Sequence, residues 1–90
     1  MNQKSKELYN RLIQNVSQGV AKSYVLPLVQ AMDEENQFFN RNQKEVLFTE
    51  VRLKVINKVE DKALEFTDGD SYVSLGNLDE ALNDTFKEMF

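Results

Sequence analysis

Carboxylates, lysines and hydroxyls are the reactive groups this chain has to offer, because it contains neither histidine nor cysteine. Without His, the commonest general base near neutral pH is missing. Without Cys there is no thiolate nucleophile, thiolate metal site or disulfide. A hydroxyl nucleophile would need a lysine or carboxylate to activate it. No Gly-x-Ser-x-Gly elbow marks one, and three glycines in all are too few for a phosphate-cradling loop.

Acids are the remaining route to catalysis or to a cation. Asp33-Glu34-Glu35 and Asp79-Glu80-Asp84 are the dense clusters. On a helix Glu80 and Asp84 stand one turn apart and could share a hard cation, but such sites need several convergent oxygens. A solvated face with acids near helix N-termini, where the dipole favours them, is the plainer reading of both clusters. The stretch from Asp68 opens like a calcium loop and then fails. Tyr72 and Val73 fall at its fifth and sixth positions, where a ligand and a sharply turning glycine are required, and Asp79 replaces the long bidentate Glu. The residues therefore predict no catalytic group, no metal site, no cofactor and no enzyme.

Binding is what remains, and charge limits its partners. The net charge of −4 disfavours the phosphate backbone of nucleic acids in general. The sign is unevenly spread: residues 1–32 carry four bases against Glu7, and residues 67–90 carry six acids against Lys87. The basic first segment leaves one alternative open. In it Tyr9, Arg11, Lys22 and Tyr24 of two copies meet around a small anionic ligand or nucleic acid at a subunit boundary. Core packing of the two tyrosines competes with it, because both fall on the apolar side of their helix.

Something must position these groups. From Leu8 to Tyr24 the apolar residues cover an arc of about 160° at helical spacing, an amphipathic helix. Gly19 within it marks close packing by another helix or a weak point. Pro27 interrupts, and a new helix over about 27–40 is expected; one helix bent at Pro27 is the rival. Asn42-Gln43-Lys44-Glu45 reads as a capping box opening the longest helix, 43–66. Gly69 stops that helix, and 67–76 reads as an extended connector. A second capping box, Asn77 to Glu80, opens a last helix. The expected fold is all-α: one domain over 1–90, a small bundle of three to four helices around the central helix 43–66.

That central helix carries the functional expectation. Leu47, Phe48, Val51, Val55, Ile56, Val59, Ala63 and Phe66 form its main stripe, and Val46, Leu53 and Leu64 fall together on a flank beyond it. A helix apolar nearly all round is buried, and a chain of 90 residues is short of cover for it. The expected function is a non-enzymatic protein-interaction module, self-associating, that occludes or adapts a partner protein in the manner of inhibitors, immunity or anti-defence factors and assembly factors. Val46, Leu53 and Leu64, with Phe38, Tyr72 and Phe90, are its expected partner-binding residues. The polar start Met1 to Lys6 and the short longest apolar run, Tyr24 to Val29, predict a cytoplasmic protein without a membrane span.

Overall fold

The structure, a computed structural model, describes residues 3–66 and 75–90, with side chains over 7–60 and 76–90. The described backbone is helical apart from the loop 35–40 and the final residue. Helix α1 (Gln3–Val20) runs through a π segment (Ala21–Val25) directly into α2 (Leu26–Glu34); α3 (Arg41–Phe66) and α4 (Leu75–Met89) follow. Pro27 stands in the first turn of α2, as the new-helix reading has it, but no break precedes it: the backbone stays helical through the π segment. Proline lacks an N–H, and its ring crowds the carbonyl four residues back. The wider π turn relieves that crowding, with the Leu26 N–H reaching the Ala21 carbonyl.

The expected extension of α2 to residue 40 is also corrected. Asn36 adopts a left-handed backbone with φ of 55°, which asparagine tolerates better than most residues. Its N–H donates to the Asp33 carbonyl (3.0 Å), and the Gln37 N–H donates to Met32 (2.8 Å). This is a Schellman closure with Asn36 at its left-handed position. Asp33, Glu34 and Glu35 consequently stand at the C-terminal, negative end of α2, not near an N-terminus where the dipole would favour them.

The capping box of α3 forms two residues earlier than its sequence reading. Asn40 Oδ1 accepts from the Gln43 N–H (2.9 Å), and Gln43 Oε1 accepts from the Asn40 N–H (2.8 Å). The reciprocal pair satisfies two backbone donors at once. At the other end, the connector expected over 67–76 lies outside the described residues up to 74. Leu75 and Gly76 are already helical, so Asn77 sits inside α4 and is not its cap.

The core is built from rows of residues four apart. Tyr9, Ile13, Ser17, Ala21 and Val25 are at most 2% exposed, and Val51, Val55 and Val59 are fully buried with Leu47 at the end of their row. Leu78, Leu82 and Phe86 supply the row from α4. Rows at this spacing are the ridges that interlock in the commonest class of helix packing. Such a row drifts by ~40° per step around a straight helix, and the wider π turn takes back part of that drift before Val25. α1 packs against both α3 and α4, while α3 and α4 touch less. The first helix, not the third, is thus the packing centre, and the molecule measures 48 × 18 × 17 Å.

Two positions in α1 depart from expectation. Ser17 is fully buried, with no hydrogen-bond partner for its hydroxyl among the described residues. Gly19 faces open space, since a Cβ there would meet nothing within 4 Å. Close helix packing does not explain that glycine. Between helices, Arg52 clamps α3 to α4, its Nε donating to Asp79 Oδ1 at 2.6 Å.

Candidate protein-interaction surface

Turning 100° per residue, α3 places Val46 and Leu53 roughly opposite the middle of its buried row. They are 58% and 56% exposed. Asn42, Thr49 and Asn57 lie on the same outward arc and are exposed as well. From 42 to 57 this arc carries no charge, and Thr49 turns its hydroxyl back onto the Glu45 carbonyl (3.0 Å). The result is a neutral strip with two aliphatic side chains at its centre.

Charge lies along the rim, and Glu60, on the same arc two turns beyond Leu53, ends the strip. On one side the Tyr24 hydroxyl donates to Glu50, and Lys54 Nζ stands 5.0 Å from the centre of the Tyr24 ring. The hydrogen bond to Glu50 holds the Tyr24 phenol above its usual pKa; desolvation and the Glu50 charge act in the same direction. On the other side Arg41 pairs with Glu45 at 3.4 Å. Leu28, one turn after Tyr24 on α2, is a further exposed aliphatic group at 41%.

A second apolar surface lies where α2, α3 and α4 end or begin. Phe39, Phe90, Phe86 and Phe48 form a chain of ring contacts, edge-to-face from Phe39 to Phe90 (5.7 Å) and from Phe48 to Phe86 (5.3 Å). Lys44 Nζ sits 5.2 Å from the centre of the Phe90 ring. An open groove of about 830 Å³ runs over Phe48, Phe86 and Phe90, edged by Arg41, Lys44, Glu45 and Lys87. Phe38 flanks the same end and is 80% exposed.

The six residues expected to bind a partner do not form one patch. Val46 and Leu53 share the outward strip of α3, whereas Phe38 and Phe90 belong to the aromatic end; the side chains of Leu64 and Tyr72 lie outside the described ones. The expected ligand residues are not gathered either. Tyr9 is in the core at 2% exposure, Tyr24 is bonded to Glu50, and Arg11 and Lys22 face solvent. Glu80 and Asp84 edge a shallow hollow with Asn10 and Asn77, whose side-chain amides lie 3.4 Å apart. Among the described residues no three His, Cys, Asp or Glu side chains gather as a metal site would require.

Sequence reasoning missed the Tyr24 rim and the aromatic groove. Both depend on contacts across elements, which periodicity within one helix does not encode. No described helix is long and apolar enough to cross a membrane. Set beside known proteins, the chain matches no family model, no curated protein and no solved structure.

Proposed function

We propose that this protein is a non-enzymatic interaction module that self-associates and occludes a site on a partner protein with the outer strip of α3. The observation that carries this reading is the exposure of Val46 and Leu53, 58% and 56%, on a helix whose opposite side is fully buried. Folding does not need those two side chains. An uncharged strip with apolar centre and charged rim has the anatomy of a protein interface, where charged residues are depleted at the core. Occlusion requires no covalent step, in keeping with a chain lacking His and Cys. We read the scaffold as a three-helix bundle whose first member turns at the π segment before Pro27, with α3 lying along its flank.

A photo-crosslinking residue at position 53, in protein produced in its own cells, tests the reading. A defined adduct with one protein is expected, absent when the crosslinker replaces exposed Gln18 and when Val46→Glu is added. Adducts no stronger at 53 than at 18 would overturn it.

A further inference from the structure

The aromatic end of the molecule carries both halves of a docking pair. One half is a groove lined by Phe48, Phe86 and Phe90 and edged by three cations, Arg41, Lys44 and Lys87, against one acid, Glu45. In a chain of net charge −4 this is a local reversal of sign. The other half is a knob: Phe38, 80% exposed, beside Asp33, Glu34 and Glu35, all exposed. Phe38 and Asp33 line a smaller hollow together with Lys44 and Phe90, so knob and groove are neighbours on one surface. Each half offers what the other lacks. The groove presents ring faces and positive charge; the knob presents an unsheltered ring and three negative charges.

We infer that the partner at this end is a second copy of the same chain, related by a twofold axis between knob and groove. Phe38 of each copy enters the aromatic groove of the other, and the Asp33–Glu35 acids of each meet the other's Arg41, Lys44 and Lys87. A twofold interface uses the same patch twice and must be self-complementary, and this patch pairs an exposed ring and acids with a ring-lined groove and cations. Its own knob cannot fill the groove within one copy, since Phe38 is left 80% exposed. Groove and α3 strip share a border at Arg41, Glu45 and Thr49, with Val46 and Leu53 outside the groove, and the pairing rests on the self-association in the reading above. Aromatic anchors in desolvated pockets dominate such interfaces, while the charges fix the register and make association sensitive to salt.

Light scattering and sedimentation of the full chain, over a range of concentration, provide the test. A mass twice the 10.5 kDa of one chain is expected, weakening as salt is raised. Phe38→Ala should loosen the dimer by about thirtyfold or more, the loss typical of an anchor residue, with helicity unchanged by circular dichroism. Two charge-reversed proteins give the sharper arm. Lys44→Glu with Lys87→Glu makes knob and groove both acidic, and Asp33→Lys with Glu34→Lys makes both basic. Each should be monomeric alone, and an equimolar mixture should dimerise. A monomer at every concentration overturns the inference. A dimer that survives Phe38→Ala but dissolves with Leu53→Glu overturns it too, and assigns the second copy to the α3 strip. Crosslinking at position 53 separates the two readings: an adduct with a different protein leaves the earlier reading standing whatever the dimer does, whereas an adduct with a second copy alone goes with the second outcome.

Discussion

The inner and outer faces of α3 are made of similar residues with opposite fates. Val51, Val55 and Val59 are fully buried, whereas Val46 and Leu53 are more than half exposed. Both sets are aliphatic, both lie in the same helix, and the helix would form with either. What separates them is only whether α1 and α4 lie opposite. The inner valines hold the helices together. The outer pair contributes nothing comparable to folding, and it is on this pair that the proposed partner contact rests.

Stability measurements can break that contrast. Val55→Ala removes two buried methyl-sized groups and leaves a cavity, and should lower the unfolding free energy by about 2–3 kcal/mol. Leu53→Ser should change it by less than about 0.5 kcal/mol, as expected of a surface position. Urea denaturation of the two variants beside the parent decides the matter. Comparable losses would mean that the outer face is folded against something after all.

The outward side of α1 gives a smaller effect of opposite sign. A methyl group at Gly19 meets open space, and alanine is a better helix former than glycine. Gly19→Ala should therefore raise stability by roughly 0.5–1 kcal/mol, seen as a higher denaturation midpoint. A loss would show that this face, unlike the outer face of α3, is already covered in solution.

The least effect belongs to the rim, where Tyr24 meets Glu50. A phenol whose ionisation is held above its unfolded value adds stability below that unfolded value, and the contribution disappears as pH rises through the folded one. Titration of the Tyr24 ring resonances should show ionisation later than in an ordinary tyrosine, because of the hydrogen bond to Glu50. Glu50→Gln should bring it earlier. If Glu50→Gln leaves the titration where it was, the rim contact does not persist in solution.

The sequence made the helices readable and left their ends and partners obscure. The apolar repeat in 43–66 revealed α3 and its flank, including the Val46 and Leu53 pair. Its start was displaced because Asn40-Arg41-Asn42-Gln43 and Asn42-Gln43-Lys44-Glu45 obey the same capping pattern, and only the hydrogen bonds choose between them. The end of α2 was missed because asparagine, unlike glycine, is an ambiguous sign of a left-handed residue. Ser17 was unreadable as core, since a hydroxyl in a row of apolar side chains looks like a point on the wet face. Greater apolar content made 43–66 look central. Position between two neighbours made α1 central instead, and that is a tertiary fact.

The π segment before Pro27 sets a limit on how this chain can change length. Its five residues, Ala21–Val25, act as a phase adjuster between the two halves of one long rod. Deleting a single residue there would restore ordinary helical winding and press the proline ring against the turn behind it. The downstream residues would stay close to their present direction, because a π turn is one residue wider than an α turn. Val29 and Met32, which are half-buried, would keep their face, so the cost would fall on the turn around the proline. The loop at 35–40 can absorb a change in chain length without that clash.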